Sequence, residues 1–148
     1  MKKTRSLPRG VAIVGAGMCK FGTFPEKASR DLFVEALKDM NLSIDKGFDP
    51  EAIETIYIGN YSSDLFEHQG HIAPIMADAV GLVPRPAVRI EDACASGSAA
   101  LSQGVMAIAS GMCDVVLVGG VEKMTNLPIQ YFHSRLDGSP QSLSDPQG

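Results

Sequence analysis

The sequence predicts an α/β fold, a largely parallel sheet flanked by helices. Two observations carry that reading. Short β-type runs alternate along the chain with stretches of helical periodicity. Several of those runs also end in glycine, where a strand would hand over to a tight turn.

The elements follow in order. Val11–Val14 is a β-type run closed by Gly15-Ala16-Gly17, which predicts a buried strand and a turn. From Ser29, a plausible N-cap, Leu32, Phe33, Ala36, Leu37 and Met40 recur at helical spacing with Arg30, Glu35 and Lys38 on the other face. Asp49-Pro50-Glu51 opens a short helical turn, since proline suits its first position. Thr55–Ile58 predicts a second strand ending in Gly59-Asn60, and 61–70 is polar and turn-like. Ile72–Val80 predicts a helix stopped by Gly81 and Pro84. Pro86–Ile90 predicts a third strand, 94–110 a helix, and Asp114–Val118 a fourth strand leaving through Gly119-Gly120. From Asn126 the chain turns rich in Pro, Ser, Gly and Gln and loses periodicity, so 1–125 is expected as one domain and 126–148 as the start of a loop region.

Composition narrows the function. At 148 residues, with 45% hydrophobic and 20% charged residues, the chain is globular in character and long enough for a real core. Its net charge of −4 and the lack of a basic cluster beyond Lys2, Lys3 and Arg5 exclude an electrostatic nucleic-acid footprint. The uncharged run from Ala93 to Cys113 holds Ser96, Ser98, Ser102, Gln103 and Ser110, too polar for a membrane span. Cys19, Cys94 and Cys113 cannot all pair within one chain, and no secretory signal precedes them. Free thiols in a reducing, cytoplasmic setting are expected.

The 94–110 segment is the most informative. Its apolar and small residues spread over most of the helix circumference, and no charge appears before Asp114. A helix without a charged stripe is expected to be enclosed, and one sheet covers only one side. The chain is therefore expected to supply half of a larger layered body. Cys94 opens that helix, where unsatisfied N–H groups and the macrodipole favour a thiolate over the free thiol of pKa about 8.5. The same N–H groups suit an oxyanion, so a thioester-attacking nucleophile is one reading. A small buried filler is the other.

Glu91-Asp92-Ala93-Cys94-Ala95-Ser96-Gly97-Ser98-Ala99-Ala100-Leu101 resembles the nucleophile segment of the thiolase family. Ser110–Met124, with its Gly-Gly-x-Glu-x-Met exit, resembles that family's next strand, and Val11–Gly17 with Lys20-Phe21-Gly22, and Ile58-Gly59-Asn60, fit as well. The Cys-Ala-Ser-Gly-Ser form is similar to sterol-carrier-protein-like and archaeal thiolases. The resemblance implies an acyl-CoA C-acyltransferase of the acetyl-CoA acetyltransferase type, with Cys94 carrying the acyl group in 3-oxoacyl-CoA formation or thiolysis. It also implies two similar α/β halves, with the nucleophile helix buried centrally between them. Coenzyme A thioesters enter as substrates; no cofactor, cofactor-binding residue or metal ligand is implied.

That family's activating histidine, in Gly-His-Pro, and its second cysteine, in Cys-x-Gly, belong to the other half, and neither motif occurs here. The chain thus resembles an N-terminal half, expected to meet a homo-oligomeric or split-subunit partner that supplies the rest. A catalytically silent subunit serving dimerisation or support is the alternative. Weaker signals have plainer readings. Gly15-x-Gly17 has Lys20 where a dinucleotide fingerprint needs glycine. His68-x-x-His71 lacks a completing ligand cluster. Cys19 and Cys113 read as packing, and Glu122 as a backbone-bonding residue at the strand exit.

Overall fold

A computed structural model describes residues 6–125, so the expected loop region 126–148 lies outside the described residues. The element order is α1 (Ser29–Leu42), a 3-10 turn (Pro50–Ala52), β1 (Thr55–Gly59), α2 (Ser63–Phe66), α3 (Ile72–Ala79) and β2 (Ala87–Ile90). A second 3-10 turn (Ala93–Ala95), α4 (Ser96–Ala109) and β3 (Val116–Gly120) complete it.

The three strands form a parallel sheet in the order β2-β1-β3. Ile56 stands opposite Ala87 and Leu117, and Gly59 opposite Ile90 and Gly120. Side chains alternate across the sheet, so each strand serves two faces. Ile56, Ile58 and Leu117 point to one face, where Phe33 of α1 and Ile72 and Met76 of α3 join them in the buried core. Val116 and Val118 point to the other, towards α4. A Cβ at Gly104 of α4 would lie 2.6 Å from a Val118 methyl, so helix and sheet meet at glycine distance. The result is three layers: α1 with α3, the sheet, and α4.

In this chain α4 is covered on one face only. Ser96, Ala100, Gly104, Ala107 and Ala109 are buried, while Leu101 and Met106 are 44% and 49% exposed. No charge lies on the open face, which keeps the apolar character read from the sequence.

Some expectations shift. Val11–Val14 does not form a strand; Ile13 and Val14 are each 75% exposed. A strand needs a neighbour's ladder, and among the described residues this run has none. The segment after it is held instead to α1, the Ala16 N–H donating to Ser43 Oγ (3.0 Å) and the Met18 N–H to Asp39 (2.9 Å). A cavity of about 350 Å³ separates the run from β3. Ser29 is not the N-cap but the first helical residue; Ala28 caps α1, and its N–H is taken by Asp31 at 2.8 Å. The reason is tertiary, because the Ser29 hydroxyl and N–H both donate to Glu67. The turn-like 61–70 segment contains one helical turn, and the last strand starts two residues later than expected, at Val116.

Candidate active site around Cys94

The carboxyl ends of parallel strands are where open α/β sheets present their ligand crevices. Here β1 and β3 end side by side at Gly59 and Gly120, and the Val121 N–H returns to Gly59 O (3.2 Å). A cavity of about 540 Å³ opens over these ends. Cys94, Ser96 and Gly97 form one wall, Asn60, Tyr61, Glu122 and Lys123 another, and Phe21, Phe24 and Leu32 an apolar third.

Cys94 does not sit on the first turn of the α-helix. It sits in the 3-10 turn just ahead of it, exposed to the cavity. Ala93 takes a left-handed φ of 44°, a costly conformation for a residue with a Cβ. Polar contacts hold it there. The Ala93 N–H donates to Glu91 (2.7 Å), and Ser96 Oγ donates to Ala93 O (2.7 Å) while accepting the Asp92 N–H (2.9 Å). Glu91, Asp92 and Ser96, which flank the thiol in sequence, therefore fix its turn. Local backbone strain of this kind gathers at working sites.

Gly59 makes the approach of the helix possible. A Cβ there would lie 2.7 Å from the backbone of Ser96 and Gly97, so only glycine lets α4 begin directly above the strand end.

The opposite wall is the 60–64 turn, gripped from both sides. Arg89 of β2 donates to Asn60 O (3.1 Å) and Tyr61 O and reaches Asp64 (3.5 Å). Glu122 accepts the Tyr61 N–H (2.6 Å), the Ser62 N–H (3.0 Å) and Asn60 Nδ2 (3.3 Å). A cation thus holds the turn's carbonyls and an anion its N–H groups. Buried Asn60 completes the knot, its amide donating to Val121 O (2.9 Å) and its carbonyl accepting the Ser63 N–H (3.3 Å). Burial pushes the Glu122 carboxyl above the ordinary carboxylate range, with the Tyr61 and Ser62 N–H groups and Arg89 pulling the other way.

Of the residues singled out in the sequence, Cys94 and Glu122 meet at this cavity, and Glu122 bonds backbone at the strand exit. Cys113 is buried, and burial pushes its thiol up. Cys19, read as packing, instead lines the Cys94 cavity half-buried. His68 and His71 are exposed and do not line it. Sequence reasoning missed the roles of Arg89 and Asn60. A charged residue inside a short strand, and an asparagine directly after a strand-ending glycine, were the available signals. Among the described residues no helix is long and apolar enough to cross a membrane.

Comparison with known proteins gives a consistent set of likenesses. The thiolase N-terminal domain profile matches residues 11–143. Over 120 residues the chain is 51% identical to an acetyl-CoA acetyltransferase of Methanocaldococcus jannaschii, covering 80% of this chain and 30% of that protein. An acetyl-CoA acetyltransferase of Methanothermobacter thermautotrophicus is 43% identical over 119 residues, with the same coverages. A 3-ketoacyl-CoA thiolase of Pseudoalteromonas translucida is 31% identical over 134 residues, 89% of this chain and 34% of that one. The chain spans about a third of the length of these curated relatives.

Proposed function

The chain belongs to the thiolase family, whose N-terminal domain it carries, and on that premise we propose that Cys94 is the acyl-carrying nucleophile of an acyl-CoA C-acyltransferase. One observation carries the proposal: the exposed Cys94 thiol stands in a strained, hydrogen-bonded turn over the carboxyl ends of two parallel strands, at the mouth of an uncharged helix.

The chemistry follows from that position. The Cys94 sulfur attacks the carbonyl carbon of an acyl-CoA, and its proton passes to a base. The carbonyl electrons move onto oxygen, where backbone N–H groups at a helix start stabilise them. They return as the bond to the coenzyme A sulfur breaks, and coenzyme A leaves as its thiol, leaving an acyl group on Cys94. A second acyl-CoA, deprotonated at its α-carbon, takes that group to give a 3-oxoacyl-CoA and regenerates the thiol.

The base is proposed to come from the other half of the enzyme, either on the same polypeptide or on a partner subunit. The open face of α4, with Leu101 and Met106 exposed, supports such a cover, which would bury the helix centrally. Those exposed residues equally favour the second reading, a silent subunit that serves dimerisation or support. Turnover separates them. Mixed with a polypeptide spanning the remaining two-thirds of a related acetyltransferase, the chain should form acetoacetyl-CoA from acetyl-CoA, and Cys94→Ser should abolish it. A stable, folded mixture that makes none, whatever residue stands at 94, leaves the silent subunit.

A further inference from the structure

We propose that Glu122 is a positioning residue for the Cys94 site, its carboxylate holding the Asn60–Ser62 turn as a fixed wall of the thiol's cavity. This deepens the reading above only in taking Cys94 as the reactive group of that cavity; it does not depend on what Cys94 reacts with.

The connections run without a gap. Glu122 accepts N–H groups from Tyr61, Ser62 and the Asn60 side chain, so one carboxylate satisfies three donors of a single turn. Asn60 follows Gly59 directly, and the backbone at Gly59 is where Ser96 and Gly97 press closest. Those residues begin α4 immediately after the Cys94 turn. A shift of the 60–62 turn therefore moves the surface on which the start of α4 rests. Reactivity at a positioned group is sensitive to misplacements of about 1 Å. The carboxylate is carried into the wall of the cavity at the expense of its solvation, and the three donors offset that cost.

Ionisation matters to the grip. The carboxylate accepts from all three donors, while a protonated carboxyl places an O–H among them and holds the turn less well. Arg89 faces the group from β2 and itself reaches Asp64 of α2, Glu67 acts on it from the segment after α2, and Lys123 adjoins it in the chain. Protonation of Glu122 leaves Arg89 on the turn's carbonyls, so the turn loosens at its N–H side without leaving the fold.

The test is the rate at which Cys94 reacts with dithiodipyridine, resolved by peptide mass, from about pH 4.5 to about pH 8. The thiolate attacks the disulfide, forms a mixed disulfide and releases one pyridinethione. At about pH 7.5, Glu122→Gln should change the Cys94 rate about threefold or more. The wild-type and variant rates should converge as pH falls through the range in which Glu122 takes up its proton. Buried Cys113 should stay unreactive in both, which shows the fold intact. Equal rates across the range, or a difference unchanged at low pH, would overturn the proposal. Should Cys113 open in the variant, the wild-type profile decides alone. A step above the ordinary carboxylate range, in the wild-type rate divided by that of a free thiol with the same reagent, supports the role, and a plain one-thiol curve ends it. Acetyl-CoA plays no part, so this outcome is separate from that of the acyl-transfer reading.

Discussion

The carboxyl end of the sheet and its outer edge are built in opposite ways. At the carboxyl end, Arg89, Asn60 and Glu122 pair the turn's polar groups, and glycine brings α4 to backbone contact. Along the outer side of β3, the 11–16 run stands across a cavity, with Ile13 and Val14 bare to solvent. The contrast teaches where this chain determines its own structure. The Cys94 end of the sheet is fixed by bonds the chain makes itself, and the apolar faces of α4 and of the 11–16 run stand open.

Substitutions should sort along that line. The largest effect belongs to the thiol, where Cys94→Ser should lower acyl incorporation from acetyl-CoA by about 10³-fold or more. Core loss comes next. Ile58→Ala, fully buried beneath α3, should cost about 2–5 kcal/mol in denaturant melts. Gly59→Ala should cost about 1–3 kcal/mol, because its methyl would strike the backbone of Ser96 and Gly97, and neither can yield as a side chain would. At the outer edge, Ile13→Thr should change the stability of this chain by no more than about 0.5 kcal/mol. A large loss there, or none at Gly59, would erase the distinction between the two regions.

The finest test is of pH. Burial raises the Glu122 carboxyl above its ordinary 4.5, so the folded chain binds that proton more tightly than the unfolded one. The ionised group grips the turn better, but its lost solvation outweighs that grip, so the contribution to stability is fully present below about pH 4.5 and is lost as pH rises through the raised value. The wild-type melting temperature, taken relative to that of Glu122→Gln, should fall across that window and flatten above it. A rise with pH instead would mean that the N–H groups and Arg89 outweigh burial.

The same line separates what could be read from the sequence from what could not. β1, β2, α3 and α4 follow from period and glycine stops, because their partners are local or lie in the adjacent layer. The parallel sheet follows from the alternation of strands and helices. Ser29 defeats the capping rule because Glu67, distant in sequence, takes its hydroxyl. Val11–Val14 has β composition, but composition does not supply the neighbouring ladder a strand requires. Cys94 stood out by its neighbours in sequence. The 3-10 turn that carries it did not, since nothing local predicts a left-handed alanine at 93. The grip of Arg89 on the 60–64 turn joins residues far apart in the chain and becomes visible only in three dimensions.

The central claim is that one of three free cysteines is placed for acyl chemistry, and a single labelling experiment addresses it. The chain is incubated with isotopically labelled acetyl-CoA, alone and with its complementary half, and the acetyl group is located by peptide mass. Label on Cys94, absent from Cys19 and Cys113 and gone in Cys94→Ser, is the result predicted. Label spread over the thiols according to their exposure, or none on Cys94 in either condition, would contradict it.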